Sequence, residues 1–207
     1  MKIHERWFIE NGFTYYAIYG DPSLLGTGVD YKINGNNFYC ATNEAYETLA
    51  HKLAIFYSYI YEKTSMEYVF KVDDGCLINK SNILQELNST HRPPDYCGGL
   101  MTPTSDCCHK GKCTNKELNK ISIDFAHNFN KINGIDPLKL RNIKKITYCG
   151  GGYGYGLSRN ALQHIVKYKY HILSLSLSYE DVLFGQIMFL ENIKPKHVEI
   201  GEYHCVK

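Results

Sequence analysis

A chain of 207 residues, 44% hydrophobic and 21% charged, has the composition of an ordinary globular domain. Its net charge of +2 argues against a dedicated nucleic-acid binder or a membrane-surface protein. No stretch approaches the ~20 apolar residues that span a bilayer, and the polar first ten residues lack the apolar run of a secretion signal. The eight cysteines are therefore read as reduced thiols in a cytoplasmic protein. A single domain over 1–207 is expected, standing alone or as one domain of a longer protein.

Residues 13–19 (FTYYAIY) predict a first strand, closed by Gly20-Asp21-Pro22. Residues 24–37 are turn-rich, and 38–41 read as a short second strand. Residues 43–63 carry the clearest helical signal: Tyr46, Leu49, Ala50, Leu53, Ala54, Tyr57, Ile60 and Tyr61 fall on one stripe. Thr42 or Asn43 is the expected cap, with Glu44 and Glu47 at the positive end of the dipole. The helix leads into residues 67–76 (EYVFKVDDGC), a strand of β-branched and aromatic residues that runs into Asp73-Asp74. Such a strand–helix–strand unit favours parallel pairing with a right-handed crossover.

Residues 80–88 read as a helix and 96–101 as a strand. Residues 102–119 read as an irregular stretch carrying Cys107, Cys108, His109 and Cys113. A strand over 146–149 ends in GGGYGYG, Ser158 caps a helix reaching about residue 168, and 180–190 form another helix. Residues 198–206 predict a terminal strand. Strands and helices alternate through most of the chain, so the class is α/β.

Five constellations carry chemistry. Asp73 and Asp74 at a strand end form either a metal and phosphate site or a solvated Asp-Asp-Gly turn. The glycines of residues 150–157 (GGGYGYGL) either let a ligand approach the backbone or serve only packing. Their spacing fits neither the dinucleotide fingerprint nor the P-loop. Glu180 and Asp181 open an apolar helix, as helix-start acids or as a general base. His197 and His204 are structural imidazoles or, for His204, a metal ligand alongside Asp74. Cys97, Cys107, Cys108, His109 and Cys113 are loose thiols or the partial ligand set of a zinc-stabilised interaction module.

Taken in order, the runs YETLAHKLAIFYSYIYEKTSMEYVFKVDDG, GGYGYGLS (151–158), EDVLFG (180–185) and the late His204 resemble the GT-A glycosyltransferases. The resemblance is to the β1,3-galactosyltransferase and Fringe branch, and it spans residues 38–204. It implies a Rossmann-like central mixed sheet flanked by helices and a metal-dependent transferase. The implied donor is a UDP-sugar, the ion Mn²⁺ or Mg²⁺, and the acceptor a hydroxyl of a glycan or glycoprotein. By the same resemblance, Asp73 lies near the ribose or the metal, and Asp74 with His204 binds the ion. Gly151, Gly152 and Tyr153 line the donor and acceptor cleft, Arg6 contacts the donor phosphates, and Asp181 is the base of an inverting displacement. The third Asp of the family's DxD-like run is Gly75 here, so one metal contact is lost or moved. A compact cytosolic form is most like those of bacteria or large DNA viruses. A retaining transferase on the same fold and an inactive sugar-binding relic are the alternatives.

Overall fold

The computed structural model describes residues 2–74, 76–88, 93–102, 146–175 and 179–203. Helix α1 (Lys2–Glu10) opens the chain, and Trp7 and Phe8 pack against Phe13 just after it. Strand β1 (Ala17–Gly20) starts later than the predicted 13–19 because Phe13 and Tyr15 turn toward that aromatic group instead. The turn-rich stretch holds β2 (Tyr31–Asn34), joined to β3 (Asn37–Cys40) by a two-residue hairpin. Gly35 leads that loop at φ 57°, the conformation a tight hairpin demands of its first residue. The sheet runs β1-β3-β2, with β1 and β3 parallel.

Helix α2 (Leu49–Lys63) is the spine of the core. Ala50, Leu53, Ala54, Tyr57 and Ile60 are buried in one continuous cluster with Phe38, Leu162, Ile165 and Phe184. Each large side chain buried there contributes about 1.5–3 kcal/mol of hydrophobic stabilisation. The start of α2 corrects the sequence reading. Residues 46–48 form a 3₁₀ turn, and no side chain caps the helix. Glu44 instead takes the buried ammonium of Lys52 at 2.5 Å and the Gly20 amide. At the other end, Arg159 donates to the carbonyls of Tyr61, Thr64 and Met66 at 2.6, 3.0 and 3.3 Å. It thereby satisfies acceptors at and just beyond the helix end.

Strand β4 (Tyr68–Lys71) leaves this helix and is followed by β5 (Cys76–Ile78) and α3 (Lys80–Asn88). Then come β6 (Tyr96–Gly98), β7 (Leu100–Met101), β8 (Tyr148–Cys149) and β9 (Tyr155–Ser158). Helices α4 (Arg159–Lys167), α5 (Lys169–Leu173) and α6 (Glu180–Leu190) precede β10 (Lys196–His197) and β11 (Gly201–Tyr203). Ser158 caps α4 as predicted, accepting from the Ala161 amide at 3.3 Å.

The main sheet runs β10-β6-β9-β4 and is mixed: β10 and β6 are parallel, while β9 is antiparallel to both β6 and β4. The expected parallel pairing of the strands on either side of α2 is therefore not met. The parallel partner of β3 is β1, and β4 joins another sheet by pairing with β9. Two small ribbons, β5-β11 and β7-β8, complete the described strands of a mixed α/β protein. Helix α6 is buried at ten of its eleven residues, the mark of a core helix apolar all round. Gly185 lets it lie directly on β8, since a Cβ there would come within 2.4 Å of Tyr148 Cβ. No helix among the described residues is long and apolar enough to cross a membrane.

Candidate active site

Three of the singled-out segments converge on one peptide unit, that of Gly151. Strand β4 delivers Lys71 and then Asp73 at its C-terminal end. Strand β8 delivers the glycines, which close into a 3₁₀ turn over Gly151–Tyr153. Helix α6 delivers Glu180 and Asp181 on its first turn. The Gly151 amide donates to Asp181 Oδ2 at 3.0 Å, and the Gly151 carbonyl accepts from Lys71 Nζ at 3.2 Å. On its third side, a Cβ at Gly151 would fall 2.5 Å from Glu180 Oε1. Glycine is needed here for this close approach, not for its backbone angles.

Lys71 is the centre of the charge cluster. Its ammonium lies 2.5 Å from Asp73 Oδ1 and 3.0 Å from Glu180 Oε1, and 5.7 Å from the centroid of the Tyr155 ring. The contact to Glu180 is an ion pair without an aligned hydrogen bond. Burial works against the Lys71 charge, but Glu180 and Asp73 outweigh it and hold the ammonium well above its usual range. Burial pushes Glu180 up to about 7, against the pull of Lys71. Asp181 is also raised by burial, and the Gly151 and Val182 amides oppose the shift. Both oxygens of Asp181 accept from backbone amides, Oδ1 from Val182 at 2.8 Å.

Below this layer the site rests on a tyrosine network. The Tyr57 hydroxyl donates to that of Tyr155 at 3.3 Å, and the Cys149 amide donates to the Tyr96 hydroxyl at 2.8 Å. Gly154, at φ 77°, turns the chain from the 3₁₀ turn into β9, with room only for hydrogen beside the Lys71 carbonyl.

The other predicted residues divide clearly. Gly152 is half-buried and Tyr153 exposed on the outer side of the same turn. Asp74 is exposed beside Asp73. Arg6 sits on the surface of α1, paired with Glu10 at 2.6 Å. No contact among the described residues joins it to the Lys71 cluster. His204, Gly75, Cys107, Cys108, His109 and Cys113 lie outside the described residues. Cys97 is a buried free thiol 3.2 Å from the Tyr68 hydroxyl, and Cys40, Cys76 and Cys149 are also free and buried. No group of three or more metal-ligating side chains occurs among the described residues. The carboxylates of Asp73 and Asp74 are nonetheless hard oxygen donors at a partly open strand end. That chemistry fits Mn²⁺ or Mg²⁺, which commonly complete their shell with water and phosphate oxygens.

Sequence reasoning assigned no role to Lys71 and weighed Glu180 only together with Asp181, as helix-start acids or a general base. A lysine at the end of an apolar strand, separated by one residue from two acids, was the available signal. The second acid of a tandem pair at a helix start drew the base assignment, and the first was left unassigned.

Asp73 at the strand end, the glycine turn and the acidic helix start thus meet in one place. The galactosyltransferase family model matches residues 35–199. The chain belongs to this family, and its activity class is glycosyl transfer from a sugar donor to an acceptor. A search of curated proteins returned no match.

Proposed function

We propose that the protein is a metal-dependent, inverting glycosyltransferase that moves a sugar from a UDP-sugar to a hydroxyl of a glycan or glycoprotein. The observation that carries this reading is the meeting of Glu180, Asp181 and, through Lys71, Asp73 around Gly151, within a chain of the galactosyltransferase family. Asp74, with His204, would hold the Mn²⁺ or Mg²⁺ ion, and Asp73 would face the donor. The ion, when bound, supplies positive charge against the leaving diphosphate. Gly152 and Tyr153 border the space where donor sugar and acceptor meet, and the exposed Tyr153 ring offers a stacking face.

Asp181 is the proposed base that takes the proton of the acceptor hydroxyl. Burial raises its proton affinity, which suits a carboxylate asked to accept a proton near neutral pH. Its two backbone hydrogen bonds fix its orientation, so it need not reorganise during the reaction. Calorimetric titration with UDP in the presence of Mn²⁺ tests the donor assignment. Saturable binding that weakens on removal of the ion is expected; no heat of binding with or without Mn²⁺ would reject it.

A further inference from the structure

We propose that Lys71 is a positioning residue for the donor site: its ammonium holds the Asp73 carboxylate in one orientation by tying it to Glu180 and to the Gly151 carbonyl. The inference rests on the UDP-sugar reading above.

A buried ammonium is costly unless its charge and its donors are matched. The Lys71 side chain is 7% exposed. It donates hydrogen bonds to Asp73 Oδ1 and Gly151 O and forms an ion pair with Glu180 Oε1, so its contacts lie on three different segments. Glu180, 5% exposed, cannot follow a displaced lysine, because Gly151 closes one side of it. The ammonium is therefore a fixed point, and the partner with freedom is Asp73, whose side chain is 36% exposed. Left alone, a carboxylate so exposed would sample several rotamers. Held 2.5 Å from a fixed cation, it is confined to one.

Neutralising Glu180 alone would not require the lysine to reach Asp73. The lysine instead links the rigid helix start to the strand-end carboxylate. The ordering of Asp73 is then completed before the donor arrives, which lowers the entropy lost on binding.

Lys71→Met alone would leave Glu180 as a buried acid with no counter-ion, so its loss of stability would mask the effect on the donor. The deciding variant is Lys71→Met/Glu180→Gln, which removes both charges. Its melting temperature should return close to that of the wild type. Its UDP affinity with Mn²⁺ should fall about tenfold, equivalent to about 1.4 kcal/mol. Asp73→Asn should cost a similar factor in the wild type but little more in the double variant, because the two changes remove one interaction. In turnover the double variant should raise the donor KM and leave the acceptor KM unchanged.

A double variant that binds UDP as the wild type does overturns the proposal. So does a full additional loss on Asp73→Asn. If that double variant does not fold, Lys71→Gln/Glu180→Gln carries the same expectations, since two neutral amides leave no buried charge unpaired and none to hold Asp73. Wild-type protein that fails to bind UDP would reject the UDP-sugar reading itself, and this inference with it. That outcome is visible in the wild-type titration alone.

Discussion

Replacing Gly151 by alanine perturbs the site at its most crowded point. The new Cβ would lie 2.5 Å from Glu180 Oε1 and 3.2 Å from Glu180 Cδ. The end of a glutamate usually yields cheaply, but this one is buried and faces Lys71 at 3.0 Å. To make room it must move off the ammonium, or the turn must lift from α6 and stretch the Gly151–Asp181 hydrogen bond, now 3.0 Å. Forcing an extra carbon into a packed site costs about 1–3 kcal/mol. For a protein of this size, ~2 kcal/mol lowers the melting temperature by roughly 4–8 °C. Thermal unfolding followed by circular dichroism measures it. Repeating the substitution in a Glu180→Ala background removes the obstructing carboxylate, so the alanine should then cost much less. A Gly151→Ala protein as stable as the wild type would refute this account of the turn. An undiminished penalty in the Glu180→Ala background would refute the part given to Glu180.

Further outcomes follow from other contacts. Arg159→Ala removes hydrogen bonds to three carbonyls and the guanidinium over the Tyr61 ring. It should destabilise by about 2–3 kcal/mol, read from the urea midpoint; a shift within ±0.5 kcal/mol would show that water replaces it without loss. Phe38→Ala opens the shared core of the small sheet and α2 and should cost about 3–5 kcal/mol in the same assay. Glu180 gives a pH signature. Its proton leaves near the ordinary value of 4.5 in the unfolded chain and near 7 in the fold, so the native state binds more protons between these limits. Its contribution is present below 4.5 and lost as pH rises through about 7, up to ~3 kcal/mol. Glu180→Gln should flatten that slope, and an unchanged slope would place the titration elsewhere.

Local chemistry made much of the fold readable. The β-branched and aromatic run before Asp73 predicts β4, and the acids followed by an apolar run predict α6 with both ends correct. Ser158 declares its helix because a cap acts within a few residues. The β2–β3 hairpin went unread although Gly35-Asn36 is a hairpin signal and Tyr31–Asn34 alternates, since a four-residue strand within a turn-rich stretch is too short to stand out. The glycine run reads as a loop, yet its second half is β9, with Tyr155 and Leu157 fully buried. Tertiary packing decided that segment against the weak strand propensity of glycine. The Lys71–Glu180 pair was invisible for a different reason. Its members are far apart in the chain, and no local period connects a strand end to a distant helix start.

The central claim, that this member of the galactosyltransferase family transfers sugar from a UDP-sugar with Asp181 as base, is tested most directly by donor turnover. UDP release from a panel of UDP-sugars with Mn²⁺ would be measured for the wild type and for Asp181→Asn, with UDP binding titrated in parallel. The wild type should release UDP slowly without acceptor and faster with the right one. Asp181→Asn should bind UDP as tightly but lose acceptor-stimulated release by at least about a hundredfold. A variant as active as the wild type, or a wild type that neither binds UDP nor releases it from any donor, would contradict the account.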